Sequence, residues 1–317
     1  MNKGKKIAII GAGNVGATVA YTLTIDGMAS EIVLIDVIRE KAEGEAADIL
    51  QGTAFCAPVN VYAGDVSDAA SANIVIVTAG APRKPGQSRI DLAQGNIDII
   101  KELLPGVVKY APDAVYIVVS NPVDVITYAI LKLSGLPENQ IIGSGTMLDT
   151  ARLRSRLANH MGFNPKNMHG FVIGEHGDTA VVPWSLVTVC GMSMAVYCTH
   201  ICDRHNNCGK IELNDIVNDV RTAGAKVIKA KGATYYAIAL SVRRIVECVL
   251  NDYGSILTVS AMVHNRYGID DVCLSLPYTV GAKGIIREIT PPLTNEEITL
   301  LRHSADTLKG VIASLDI

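Results

Sequence analysis

Ile7-Ala8-Ile9-Ile10-Gly11-Ala12-Gly13-Asn14-Val15-Gly16 is the stretch on which the fold turns. An unbroken apolar run that ends in glycines spaced G-x-G-x-x-G reads as a buried strand turning sharply into a helix. The first glycine permits the tight turn, the second lets backbone approach a pyrophosphate, and the third lets the helix pack against the strand. The N–H groups at the start of that helix then face an anion. On its own the pattern also fits an ordinary strand–helix turn. A second residue narrows it: the run Ile32-Val33-Leu34-Ile35 ends in Asp36, at the distance from Gly16 where an acid meets the adenosine ribose. A carboxylate there accepts hydrogen bonds from ribose hydroxyls and repels a 2′-phosphate, which predicts NAD rather than NADP as the cofactor.

The same alternation continues outward. Strands are predicted at Lys6–Ile10, Glu31–Ile35, Val59–Tyr62, Ile74–Thr78, Val115–Val119 and Gln140–Ile142, all rich in Val and Ile, with helical stretches such as Val15–Asp26 and Ile90–Tyr110 between them. This rhythm predicts an α/β fold with a doubly wound parallel sheet of the Rossmann kind, its ligand lying beyond the strand C-termini. After about residue 145 the rhythm changes. Long helices are predicted at Leu148–Met161, Glu212–Lys231 and Tyr235–Asn251, strands at Ser255–Val263 and Val272–Val280, and a closing helix at Asn295–Leu315. The expectation is a dinucleotide-binding domain over 1–145 and a mixed α+β substrate domain over 146–317. No Pro-, Gly- or Ser-rich linker separates them, so the halves are expected to pack tightly.

Bulk properties bound the function. The chain has 317 residues, 49% of them hydrophobic and 19% charged, with 28 basic and 31 acidic side chains and a net charge of −3. That is a globular composition, and the charge balance gives no reason to expect nucleic acid or an anionic membrane as partner. The basic residues 1–6 lead into an apolar run too short for a signal-peptide core, and no stretch approaches a membrane span. Seven dispersed cysteines without an export signal point to reduced thiols and a cytoplasmic protein. Cys198, His200, Cys202, His205 and Cys208 lie close together. They carry zinc-ligand chemistry, but their spacing matches no paired Cys-x-x-Cys module, so the expectation is a polar connector ahead of a helix near Lys210, with no metal.

Gly174-Glu175-His176-Gly177-Asp178 sets a titratable imidazole between glycines at the end of the apolar run Phe171-Val172-Ile173. Asp149 and Arg152 stand i, i+3 on a predicted helix and so share a face, whereas Arg154 lies about 200° round from Arg152. A guanidinium grips a carboxylate through two parallel hydrogen bonds, which suits Arg152 as a clamp on an acid substrate. Asp149 is placed to hold one ring nitrogen of His176, fixing its tautomer and favouring the imidazolium. The loop Ala81-Pro82-Arg83-Lys84-Pro85-Gly86-Gln87-Ser88-Arg89 follows the fourth strand and carries three cations. It fits either a solvated turn or a lid that closes over a cofactor crevice.

These pieces, with Thr78-Ala79-Gly80, Ser120-Asn121-Pro122-Val123-Asp124 and Leu148-Asp149-Thr150-Ala151-Arg152, make the chain resemble the lactate/malate dehydrogenase family over nearly its whole length. The resemblance implies a hydride transfer between NADH and a 2-oxo acid, with His176 as proton donor and acceptor, Asp149 as its partner, Arg152 as the carboxylate clamp and Arg89 polarising the carbonyl. It implies a cofactor set of Gly11, Gly13, Val15, Gly16, Asp36, Gly80, Ala81, Asn121 and Ser144, and a substrate pocket that includes Arg83, Asn121 and Thr234.

Within the family, Gly143-Ser144-Gly145-Thr146, Glu175, Trp184 and Thr234 are similar to the lactate branch. Arg83 is similar to the malate branch, where an arginine pairs the second carboxylate of oxaloacetate. The larger set of markers favours pyruvate and L-lactate, with oxaloacetate and L-malate as the alternative. Arg154 and His169 match residues that bind fructose 1,6-bisphosphate between subunits of allosteric bacterial members, and the resemblance implies a homotetramer. An NAD-binding protein without catalysis is the remaining alternative; it would be expected to lack at least one of His176, Asp149, Arg152 and Arg89, and all four are present.

Overall fold

In a computed structural model the chain is described over residues 4–81, 88–200 and 213–317. The first half alternates β1 (Lys6–Ile10), α1 (Asn14–Ile25), β2 (Glu31–Ile35), α2 (Arg39–Gly52), β3 (Asn60–Ala63), β4 (Ile74–Val77), α3 (Arg89–Tyr110), β5 (Val115–Val118), α4 (Val123–Ser134) and β6 (Ile141–Gly143). The second half holds α5 (Met147–Met161), the two-residue strands β7 (Met168–His169), β8 (Thr188–Val189) and β9 (Met192–Ser193), then α6 (Met194–His200), α7 (Leu213–Lys231) and α8 (Tyr236–Leu250). It ends with β10 (Ser255–Val263), β11 (Val272–Gly281), β12 (Gly284–Glu288) and α9 (Asn295–Ile312).

β1 to β6 run parallel in the order β6-β5-β4-β1-β2-β3. This is the doubly wound arrangement, with its topological switch between β1 and β4. β4 and β5 are buried along their whole length, as strands covered by helices on both faces must be. Each fully buried Ile or Val there contributes on the order of 1.5–3 kcal/mol relative to exposure. The sheet does not stop at β6. Ser260 of β10 pairs antiparallel with Gly143, and β11 and β12 follow antiparallel, so one nine-stranded sheet crosses the junction between the halves. A second core gathers Leu153, Leu157, Met161, Met168, Val172 and Val189 around α5.

Most predicted elements match to within a residue or two. The region around Cys198 differs: Cys198 and His200 end the helix α6 rather than lying in a connector. Apolar residues at 194, 196 and 197 precede the polar ones and carry the helix, with Met194 and Tyr197 packing on the second core. Cys202, His205 and Cys208 lie outside the described residues. Among the described residues no three His, Cys, Asp or Glu side chains gather as a metal site, and no helix is long and apolar enough to cross a membrane. Cys56, Cys190, Cys248 and Cys273 are free thiols.

Candidate active site

Two cationic side chains meet one carboxylate. Asp149 lies in the first turn of α5 and is buried. Its Oδ2 is 2.5 Å from His176 Nδ1, and its Oδ1 accepts a hydrogen bond from Arg152 Nη1 at 2.9 Å. The i, i+3 spacing of Asp149 and Arg152 thus becomes a direct ion pair. The Arg152 guanidinium lies against Gly224 of α7, where a Cβ would sit 3.5 Å from Nη2. Arg154, on a different face of α5, donates from Nε to the Gly170 carbonyl at 2.9 Å, next to the exposed His169. Burial pushes the Arg154 guanidinium down from its ordinary value.

The electrostatics follow from this sharing. Burial works to raise the Asp149 carboxyl, but the charges and hydrogen bonds of His176 and Arg152 outweigh it and hold the group below the usual carboxylate range. Asp149 therefore stays ionised at neutral pH and can only accept, so the proton between the two groups belongs to Nδ1 of His176. Burial likewise works against the imidazolium, yet the nearby carboxylates of Asp149 and Asp124, opposed by Arg152, raise His176 above its ordinary value. Its side chain keeps 27% exposure, so the ring is reachable from the crevice.

The loop that carries His176 is tied down by its backbone. Gly174 has φ +88° and exchanges hydrogen bonds with Ser275 of β11 at 2.9 and 3.1 Å. Its missing Cβ would sit 2.8 Å from Ser304 Oγ of α9. Ser304 Oγ accepts from Glu175 N at 2.8 Å, and Asp124 Oδ2 accepts from His176 N at 2.8 Å. The Glu175 carboxylate accepts from the Thr179 hydroxyl and backbone N–H, closing the turn on itself.

The dinucleotide side is built at the switch point. Gly11 has φ +104°, and Thr78 Oγ1 donates to its carbonyl at 2.8 Å. A Cβ on Gly16 would meet Gly11 O at 1.9 Å, whereas one on Gly13 would meet nothing within 4 Å. Gly16 therefore serves packing, and Gly13 leaves open space above the loop. No side chain caps α1 and its first turn holds no acid, so the N–H groups of that turn remain available to an anion. Val15 is half-buried beside them. Asp36 accepts from Ala12 N at 2.6 Å and from Ile38 N at 2.9 Å, which keeps its carboxylate at the edge of the glycine loop with lone pairs to spare.

Buried Asn96 of α3 bridges two loops: its Oδ1 accepts from Ala81 N at 2.8 Å and its Nδ2 donates to Asn121 O at 2.7 Å. Gly80 lies against the same amide, which a Cβ would approach to 3.2 Å. The exposed Asn121 is thereby held beside the loop after β4. Ser144 is buried and donates from its N to Val118 O at 2.8 Å. Thr234 is half-buried in the connector 233–235 ahead of α8. Ser88 caps α3, accepting from Asp91 N at 3.0 Å, which fixes the backbone from which Arg89 departs. Arg83 and the rest of 82–87 lie outside the described residues, as does the Arg89 side chain.

Sequence reading assigns no role to Asn96 or Ser304, and treats Asp124 only as part of the 120–124 motif. Their partners lie 15 to 136 positions away. No local pattern announces such bonds.

A buried carboxylate shared by an imidazole and a guanidinium, and a glycine loop opening onto an uncapped helix N-terminus, are groups that suit hydride transfer to a small 2-oxo acid. Comparison with known proteins agrees. Residues 5–143 match the family model for the lactate/malate dehydrogenase NAD-binding domain, and residues 146–315 match that for the α/β C-terminal domain. The L-lactate dehydrogenase of Acetivibrio thermocellus is 49% identical over 315 residues, covering 99% of this chain and 98% of its own. That of a Thermoanaerobacter species is 48% identical over 312 residues, covering 98% and 99%. The crystal structure of the minor L-lactate dehydrogenase from Enterococcus mundtii superposes with a TM-score of 0.93 at 37% identity and 99% coverage of both chains. The L-lactate dehydrogenase from Clostridium thermocellum gives 0.86 at 42% identity, covering 99% of this chain and 100% of that one. With both halves matched in order along nearly the whole chain, the protein belongs to the lactate/malate dehydrogenase family.

Proposed function

We propose that the protein catalyses the reversible reduction of pyruvate to L-lactate with NADH. The observation that carries this reading is the Asp149 carboxylate shared between His176 and Arg152. When bound, NADH supplies the hydride that goes to the carbonyl carbon. Gly11, Gly13, Val15 and Gly16 cradle its pyrophosphate, Asp36 holds the adenosine ribose, and Gly80, Ala81, Asn121 and Ser144 border the nicotinamide side. Arg152 grips the substrate carboxylate through paired N–H groups and so fixes which face of the carbonyl is presented. His176 gives the proton on Nε2 to the carbonyl oxygen while Asp149 keeps Nδ1–H in place. Arg89, at the start of α3, stabilises negative charge developing on that oxygen. A protein that bound NAD without catalysis would have no use for a buried carboxylate poised between an imidazole and a guanidinium.

Pyruvate is preferred over oxaloacetate because the full-length relatives at 48–49% identity are named L-lactate dehydrogenases and because Thr234 and Glu175 follow that branch. Arg83 supports the second reading, malate dehydrogenation, since an arginine closed over a methyl group would be a buried unpaired charge. We further propose a cytoplasmic homotetramer in which Arg154 and His169 receive a phosphate of fructose 1,6-bisphosphate, and a division of labour between 1–145 for cofactor and 146–317 for substrate. The deciding experiment compares kcat/KM for pyruvate and oxaloacetate, each with and without fructose 1,6-bisphosphate. A large oxaloacetate preference replaces lactate by malate, and a rate at low pyruvate that ignores the sugar bisphosphate removes the effector site.

A further inference from the structure

The reading of His176 as proton donor leaves one buried acid without a part. Asp124 lies in the first turn of α4, three residues after Asn121, and is 2% exposed. Its carboxylate rests on two neutral donors: Ser260 Oγ at 2.6 Å from Oδ1 and the His176 backbone N–H at 2.8 Å from Oδ2. Burying an anion on neutral donors is costly, and burial pushes this carboxyl up to about 6. A tether alone needs no charge, since an asparagine offers the same acceptor to His176 N–H.

The charge makes sense against its surroundings. The ionisable groups around Asp124 are His176 and Glu175 on the loop and the Cys273 thiol on β11. Those around His176 are Asp149, Asp124 and Arg152. Arg152 repels the imidazolium and already occupies one oxygen of Asp149. Without Asp124, the ring depends on Asp149, which it already shares with Arg152. With it, a second carboxylate favours the imidazolium.

We infer that Asp124 is a positioning residue for proton transfer: its carboxylate pins the His176 backbone to the head of α4, beside Asn121, and its negative charge completes the support that Asp149, divided with Arg152, gives the imidazolium. The inference rests on His176 being the proton donor.

Asp124→Asn keeps both hydrogen bonds, with the amide oxygen facing His176 N–H and the amide nitrogen donating to Ser260 Oγ, and removes only the charge. The measurement is kcat/KM for pyruvate against pH. The alkaline midpoint, where the imidazolium is lost, is expected to move down by at least about half a pH unit, while NADH affinity stays at the parent value. Ser260→Ala strips one of the two donors that keep the carboxylate ionised, and is expected to move the midpoint the same way by less. A merely structural role would lower thermal stability and leave the midpoint in place. An unmoved midpoint in Asp124→Asn overturns the inference; if that variant does not fold, an unmoved midpoint in Ser260→Ala does so. His176→Ala, run alongside, separates the two levels. Near-parent turnover there removes the proton-donor reading itself, whereas an inactive His176→Ala beside an unmoved Asp124→Asn removes this inference alone.

Discussion

Nδ1 of His176 lies 2.5 Å from Oδ2 of Asp149, bridging 27 positions of sequence, while the other oxygen of that carboxylate holds Arg152. The anion fixes the tautomer and raises the proton affinity of the ring together. Asp149→Asn removes the charge that lifts His176 above its ordinary value, so the proton leaves at lower pH. Pyruvate reduction should lose about 10²–10⁴-fold in kcat, and its alkaline limb should shift toward acid. A pH profile with the parent midpoint would show that Asp149 does not act on the ring. The same substitution should flatten the acid stability curve. Asp149 is depressed when folded, so its stabilisation is present above its unfolded value near 3.8 and is lost as the pH falls through the lower folded value.

Arg152 offers a planar fork beside Gly224, and lysine offers a single point charge. Arg152→Lys should therefore raise KM for pyruvate more than it lowers kcat. Loss of one charge-assisted hydrogen bond is worth about 1.5–3 kcal/mol, or roughly 10–200-fold in kcat/KM. NADH affinity, read by fluorescence titration, should stay at the parent value. A KM within twofold of the parent would mean that another cation holds the substrate carboxylate.

Gly16 has no room for a methyl group, since its Cβ would fall 1.9 Å from Gly11 O, a backbone atom that cannot swing aside. Gly16→Ala must push α1 away from the glycine loop. Overpacking of this kind costs about 1–3 kcal/mol, so the melting temperature should drop. NADH affinity should weaken at least about tenfold as the N–H groups move off their anion. Unchanged NADH binding in a folded variant would contradict the packing role given to the third glycine.

Asp36 touches the glycine loop through Ala12 N and its own turn through Ile38 N. Asp36→Asn keeps an acceptor for only one of these two N–H groups, which use different carboxylate oxygens, and removes the charge that would repel a 2′-phosphate. The ratio of kcat/KM for NADH over NADPH should narrow by at least about tenfold, mostly through a gain with NADPH. Equal use of both cofactors by the parent protein would remove the reason given for Asp36.

Legibility in the sequence followed locality. β1, β2 and β10 stand as β-branched runs broken by glycine or acid, and their observed bounds match the predicted ones. α4 did not stand out, because the eight residues from Val123 to Ile130 are all buried and leave no polar face to mark a helical period. α2 failed to stand out for the opposite reason, since only Ala42, Ala46 and Ile49 are buried and the apolar stripe is thin. β7 to β9 hold two residues each, too few for any alternation. In the site, Asp149 and Arg152 were legible from their i, i+3 spacing and His176 from its flanking glycines. Asn96, Asp124 and Ser304 act through hydrogen bonds to partners far away in sequence, and their types and neighbours do not announce those bonds until the chain is folded.

The contact between Ser260 and Gly143 carries a consequence for anyone recombining members of this family. Because the backbone ladder runs unbroken from β3 to β12, a chimera that joins the cofactor half of one relative to the substrate half of another must reproduce a strand register, not merely a peptide bond at residue 145. Gly143 has no space for a side chain, as its Cβ would fall 2.4 Å from Thr127 Oγ1 and 2.8 Å from Ser260 Cβ. Residue 260 of the substrate half must therefore fit residues 127 and 143 of the cofactor half before any graft of substrate preference can fold around them.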